Sequence, residues 1–439
     1  MPIIRHALLL STLLTVGSLP ALAQSQPDYE RPPIEYSKST PKDAVAQLQE
    51  KINLGMLRLE GNERQALQEL LDFLHVPVES QLLVFSKTSL QRGLIRPERP
   101  RAIYFSDSIY VGWVPGGLVE VAAIDPSLGP VFYAVDIRAG ADRHKAVQRD
   151  SDCLRCLGGA FVRDIPGILA RSVFPDATGE PLLQHGTLLV EDETPFSDRW
   201  GGWYVTGYRG QTPHRGNSLF SDEKGKLVTQ GAEARPDALD SYFEIDRYLR
   251  ARSDVVALLV FEHQVTVQNA LTRANQSTRK MLAYQRSLQE AFKEPLTDMP
   301  TYDSVKSVFA SASQEVIDRL LFRNAASLPD GVAGNEAFQS AFTASATRNS
   351  QGDSLRDFEL KSRLFKLRCS YLIYSQSFEA LAPSLKSQIF QRLGEVLTGN
   401  DPGGRYDYIP VEEKSRIHRV LSETVPDISS YWQLPNPPR

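Results

Sequence analysis

Apolar residues along this chain change their spacing twice, and the changes divide it into three stretches. The first is helical. Thr40 can cap, Pro41 suits a first helical turn, Asp43 favours the positive helix end, and Val45, Leu48 and Ile52 recur at helical spacing. A second helix is expected from about Asn62, with Ala66, Leu67, Leu70, Leu71 and Leu74 as its apolar stripe and His75 ending it ahead of Pro77. From Gln81 the period shortens. Leu82–Phe85, Ala102–Phe105, Ile109–Val114, Leu118–Ala123 and Val131–Val135 are short β-rich runs separated by Pro, Gly, Asp and Ser. Asp107-Ser108 and Pro115-Gly116-Gly117 are spaced for hairpins, so an antiparallel meander is expected over about 81–137, with a further strand near Thr187–Val190.

Beyond about Ala232 the chain turns helical again. Ser253-Asp254 can start a long helix that is apolar on every side from Val255 to Phe261, as a helix central to a bundle would be, and that then runs polar towards Phe292. Further helices are expected around 303–325, 335–347, 354–380, 383–397 and 410–423, followed by a Pro-rich tail. The fold class is therefore α+β: an antiparallel, β-rich N-terminal domain over 41–235 and an all-α domain over 236–434. Residues 24–40, polar and bearing Pro27, Pro32 and Pro33, are expected as a linker.

At 439 residues, two domains are the natural expectation, and 41% hydrophobic with 23% charged residues is ordinary for a globular chain. A formal charge of −4 with scattered basic residues gives no footprint for a nucleic acid. Arg5 and His6, an apolar run from Ala7 through Val16, and Ala21-Leu22-Ala23 have the form of a secretory signal peptide over 1–23, cleaved after Ala23. The run is short and broken, which predicts no membrane span after cleavage, and the mature chain is expected in a periplasm or secreted.

Export bears on the cysteines, of which there are three. Cys153-Leu154-Arg155-Cys156 holds two thiols on one side of a single turn. That spacing suits a disulfide, half of a metal site, or two thioether links to a haem. Leu157 follows the second cysteine and cannot coordinate iron. A thiol–disulfide oxidoreductase is the weakest reading, because Asp150 and Asp152 would raise the first thiol's pKa and Gly158-Gly159 continues a helix poorly. Cys369 is expected as a buried, inert thiol on a helix. Without a second Cys-x-x-Cys zinc is not indicated, and there is no Gly-x-Ser-x-Gly elbow, His-Glu-x-x-His helix or phosphate loop, so the sequence does not point to an enzyme.

The densest local signal is Arg199-Trp200-Gly201-Gly202-Trp203-Tyr204-Val205-Thr206-Gly207, followed by His214-Arg215-Gly216-Asn217. The glycine pair lets the backbone pass close to something flat, or makes a bulge. Together with Leu83–Gln91, Pro100–Phe105, Tyr110–Val114, Arg171–Asp176 and Glu262-His263-Gln264 with Asn269, these stretches resemble a largely uncharacterised family of exported bacterial cytochrome-c-like proteins, over nearly all of the mature sequence. The resemblance implies a cytochrome-c-like N-terminal domain in which Cys153 and Cys156 carry haem c beside Trp200 and Trp203, and a periplasmic redox partner protein for electron transfer. Family members have Cys-x-x-Cys-His where Leu157 stands here, and a histidine where Glu193 precedes Thr194-Pro195. Of His144, His185 and His214, the last sits beside the aromatic motif and is the favoured iron ligand. His263 is a second metal-ligand candidate, or with Glu262 and Asn269 ties the helical domain to the first. The alternative is a haem-free structural or partner-binding protein with a Cys153–Cys156 disulfide.

Overall fold

The structure, a computed structural model, describes residues 26–138, 146–230, 239–328 and 330–432. The expected signal peptide, the Pro-rich tail and His144 lie outside them. The N-terminal half runs α1 (Leu48–Asn53), α2 (Glu63–Phe73), β1 (Leu82–Val84), β2 (Arg101–Phe105), β3 (Ile109–Trp113), β4 (Val119–Asp125), β5 (Gly129–Val135), β6 (Val147–Arg149) and α3 (Leu154–Leu157), then β7 (Arg171–Ser172), β8 (Leu188–Leu189), β9 (Trp203–Tyr204), β10 (Leu219–Glu223) and β11 (Lys226–Gln230). The C-terminal half is helical: α4 (Val255–Phe292), α5 (Asp303–Leu320), α6 (Glu336–Ala344), α7 (Gln376–Glu379), α8 (Pro383–Leu397), α9 (Val411–Thr424) and α10 (Ile428–Trp432).

The meander read from the alternation is present as an antiparallel sheet of seven strands in the order β6-β5-β4-β3-β2-β1-β9. The last strand is the tryptophan motif, which returns to pair with β1 through Leu83↔Tyr204 and Val84↔Trp203. Side chains alternate across a strand. Leu83, Tyr104, Val111 and Val121 pack with the N-terminal helices, whereas Leu82, Ile103, Phe105 and Tyr110 pack with α4. Covering both faces explains why β1 and β3 are buried at every residue, a pattern more typical of parallel sheets.

Asp254 starts α4 by accepting the amide N–H groups of Val256 and Ala257, each at 3.0 Å. At the same point the Thr206 N–H donates to the Ser253 carbonyl at 2.8 Å and the Thr206 carbonyl accepts the Val255 N–H at 3.1 Å, which joins the tryptophan motif to the helix start. The apolar first turns of α4 lie against the sheet, with Phe261 packed on Phe105, Tyr110 and Trp203. One apolar cluster therefore runs from the sheet into the helical half, across residue 236. The later, polar turns are also buried. Gln264 donates to the Ser106 carbonyl, Gln268 to Asp107, Gln276 to Leu128, and Asn275 to Pro126 and Ala380. This row of amides satisfies loop carbonyls that would otherwise be buried unpaired.

Several expectations differ from what is observed. Residues 26–40, expected as linker, pack onto the sheet: Tyr29, Ile34 and Tyr36 are buried, and the Tyr36 hydroxyl donates to the Pro130 carbonyl. No helix spans 354–370. There the Glu359 carboxylate accepts the N–H groups of Lys361, Ser362 and Arg363, fixing a tight turn that outcompetes helix, and Phe358 pairs with Phe365. Cys369 is buried as expected, but in this irregular segment rather than on a helix. α5 stops at Leu320 instead of about 325, because Phe322 and Asn324 take left-handed backbone.

Candidate functional site

The cysteine segment leaves β6 through Asp150, whose carboxylate accepts the Asp152 N–H and so tightens the turn into α3. Cys153 stands at the start of that single turn, and the Cys156 N–H reaches the Cys153 carbonyl at 3.3 Å. Gly158 follows where a Cβ would lie 2.6 Å from the Tyr29 hydroxyl, so a glycine is needed to seat the turn against the docked N-terminal segment. Cys153 is buried, Cys156 is exposed, and both are free thiols.

Both cysteines, together with Leu157, line a cavity of about 150 Å³ on the α4 side of the sheet. Ile103, Tyr110, Ala122, Phe132, Trp203 and Phe261 supply its apolar floor. Ile168 forms part of the wall, and Asn269 on α4 holds it by accepting the Ile168 N–H at 2.9 Å and donating to the Ile168 carbonyl at 2.8 Å. At the polar end Arg101 on β2 pairs with Glu120 on β4. They meet over Gly112 on the intervening strand, where a Cβ would sit 2.0 Å from the Arg101 guanidinium. Arg171 lies at the rim, over the Phe161 ring and hydrogen-bonded to the Thr187 hydroxyl.

The Cys153 thiol is pushed well above the ordinary thiol range, first by burial and then by the negative charges of Asp150 and Glu120, with Arg101 opposing them. Its Sγ lies 3.7 Å from the Asp150 carboxylate as a weak donor. A thiol held protonated in this way is a poor nucleophile for disulfide exchange; of the two flanking aspartates Asp150 acts on it, joined by Glu120 across the cavity.

Of the other described candidate residues, Trp203 reaches the cavity and the rest lie elsewhere. The ring of Trp203 walls the cavity and its indole N–H donates to the Arg171 carbonyl at 2.7 Å. Trp200 is buried in a separate aromatic cluster with Phe196 and His214. There the His214 Nδ1 accepts the Gly216 N–H at 3.0 Å. His263 lies inside the helical half between Asp192 and Ser370. Glu193 pairs with Arg319, and His185 with Asp222. The glycines of the tryptophan motif approach backbone rather than a flat group. A Cβ on Gly201 would meet the Val173 carbonyl at 2.0 Å, and the Gly202 carbonyl accepts the Phe85 N–H at 2.8 Å.

No family model, curated protein or solved structure matches this chain. Its site is therefore read from its own donors. Among the described residues the cavity is lined by thiols, hydroxyls, two arginines and one carboxylate, with neither histidine nor methionine, and no three His, Cys, Asp or Glu side chains gather elsewhere as metal ligands. Leu157, directly after the second cysteine, lines the cavity with an aliphatic side chain. This donor set does not fit a haem iron held by the usual imidazole. No helix among the described residues is long and apolar enough to cross a membrane.

Proposed function

We propose that this chain is an exported, haem-free binding module, in which a cytochrome-like thiol pair stands over a pocket for a small apolar molecule. The observation that carries the reading is the wall shared by Cys153, Cys156 and Leu157, with His214 and His263 in other clusters. A cavity of this size, about 150 Å³, accepts a group of roughly one aromatic ring. After export to an oxidising compartment the two thiols pair as a disulfide across the turn.

The test is to produce the chain with its own leader in a bacterial periplasm. Under non-reducing, unfolding conditions only Cys369 should alkylate, the intact mass should carry no haem, and indole or toluene should raise the melting temperature. Saturation to 100 times Kd corresponds to about 2.7 kcal/mol of added stability. A covalent haem in the mass and in the pyridine haemochrome spectrum would overturn this reading. A second reading, a thioether-linked haem serving a periplasmic redox partner, is favoured by the fact that both thiols and Trp203 face one cavity.

A further inference from the structure

A second site lies about α4, apart from the thiol pocket and independent of the reading given to it. The His263 Nδ1 lies 3.0 and 3.1 Å from the two Asp192 carboxylate oxygens, and its Nε2 lies 2.8 Å from the Ser370 Oγ. The Ser370 Oγ accepts the Leu372 N–H at 3.3 Å, which leaves its own hydrogen for His263 Nε2. A carboxylate only accepts, so the Nδ1 hydrogen faces Asp192. This is the tautomer in which an imidazole can take a proton from a serine. Burial alone would raise the Asp192 pKa, but His263, Arg199 and Arg319 outweigh it and hold the group below the ordinary carboxylate range.

The three residues are buried, yet a cavity of about 440 Å³ reaches Asp192, within the span of roughly 300–1,000 Å³ that small-molecule sites occupy. Its other walls include Leu259, Phe322, Leu328, Phe365 and Leu367. Phe322 is the partition. Its ring stacks on His263 at 4.1 Å with planes 15° apart, and the residue also lines the cavity, which neither His263 nor Ser370 reaches. Its backbone is left-handed at φ 57°, a conformation that costs about 1–3 kcal/mol in a bulky residue and that clusters at clamps and switches. Ser370 is tied to the same turn through its N–H to the Leu320 carbonyl at 2.7 Å.

We propose that Ser370, His263 and Asp192 form an acyl-transfer site for small esters with apolar acyl groups, closed by Phe322 and opened when that ring swings into the cavity. The Ser370 Oγ bonds to the ester carbonyl carbon as its hydrogen passes to His263 Nε2. The carbon–oxygen bond to the alcohol breaks, and the departing oxygen takes that proton. Water, deprotonated by the same nitrogen, then releases the acid and restores the serine.

The test uses an alkyl fluorophosphonate on the full chain, in which Oγ replaces fluoride on phosphorus and the proton leaves through His263. Peptide mass mapping of the folded wild type should place the adduct on Ser370. Phe322→Gly, which suits the left-handed backbone, should label roughly tenfold faster, as a lower closure cost of about 1.4 kcal/mol implies. His263→Gln should abolish labelling while circular dichroism stays unchanged. If the substitutions cost the fold, prolonged reaction of the wild type decides alone. No adduct at Ser370, or an adduct formed as fast without His263, overturns the proposal.

Discussion

Arg101 and Glu120 form an ion pair across a strand that belongs to neither, because Gly112 between them has no side chain to keep them apart. Their side chains are 18% and 13% exposed, so the pair is largely desolvated and neither charge is dispensable alone. Removing one partner from such a pair costs about 3–5 kcal/mol. Glu120→Ala should therefore destabilise the chain on that scale in urea unfolding. Gly112→Ala should cost about 1–3 kcal/mol, as overpacking does, while leaving both charges in place. Equal, small effects from the two substitutions would show that the pair is not closed over Gly112.

Filling the thiol pocket should separate ligand binding from stability. Ala122 lies on the cavity floor beside Tyr110 of the paired strand. Ala122→Leu should abolish the thermal shift given by indole or toluene without lowering the melting temperature of the free protein, since cavity-filling substitutions commonly add about 0.5–2 kcal/mol. A retained shift would place the ligand elsewhere.

Asp254 supplies a pH dependence whose sign follows from burial. Burial lifts its carboxyl to about 6, against the opposing pull of the Ala257, Asn335 and Val256 amides and of Arg252. The native state thus holds a proton that the unfolded chain releases near 3.8, the ordinary value for an aspartate. Its contribution is complete below about pH 4 and is lost as pH rises through about 6. The loss is of the order of 3 kcal/mol at about 1.4 kcal/mol per unit. Asp254→Asn keeps a capping oxygen but cannot titrate. The stability difference between wild type and variant should shift in the variant's favour from pH 4 to pH 7, measured by chemical denaturation, and a flat difference would remove the argument.

The sheet and the thiol turn were legible in the sequence for a physical reason: alternation and Cys-x-x-Cys spacing are local. The bounds of α8 were legible too, because Pro383 sets its start and an apolar stripe runs to Leu397. What escaped was encoded over distance. Asn269 and Gln264 stand on a stretch of α4 that reads only as polar, and nothing local names their partners, which are loops more than a hundred residues earlier. Residues 354–370 carry helix-forming Leu, Arg and Lys, but one carboxylate, Glu359, fixes a turn that propensity does not register. Trp200 and Trp203 look equivalent, and only the left-handed backbone at Trp200 and Gly202 sends their rings into different clusters. His263 was singled out, but nothing local names Asp192 or Ser370 as its partners, which lie 71 and 107 residues away.

Asn269 gives a direct test of how the helical half holds the thiol pocket. It makes both hydrogen bonds to Ile168, a lining residue, so Asn269→Ala strands a donor and an acceptor at about 1–3 kcal/mol each. Hydrogen exchange should quicken at Ile168 while the sheet stays protected, because opening is local. Uniform loss of protection would mean instead that Asn269 supports the fold as a whole.

The two thiols of the reduced protein should differ in reactivity as their surroundings do. Alkylation proceeds through the thiolate, and each unit by which a pKa is raised leaves roughly tenfold less of it at a fixed pH. Burial, Asp150 and Glu120 all act to keep Cys153 protonated, whereas Cys156 is exposed beside Arg171. Iodoacetamide on the folded, reduced chain should therefore modify Cys156 first, Cys153 at least about tenfold more slowly, and Cys369 only on unfolding, since burial also raises that thiol, to about 12. Asp150→Asn removes a nearby negative charge while keeping an amide of similar shape. It should speed Cys153 and move its rate profile to lower pH, leaving Cys156 unchanged. If Cys153 reacted as fast as Cys156 in the folded wild type, the thiol would not be seated against Asp150, and the cavity wall it shares with Leu157 would have to be redrawn.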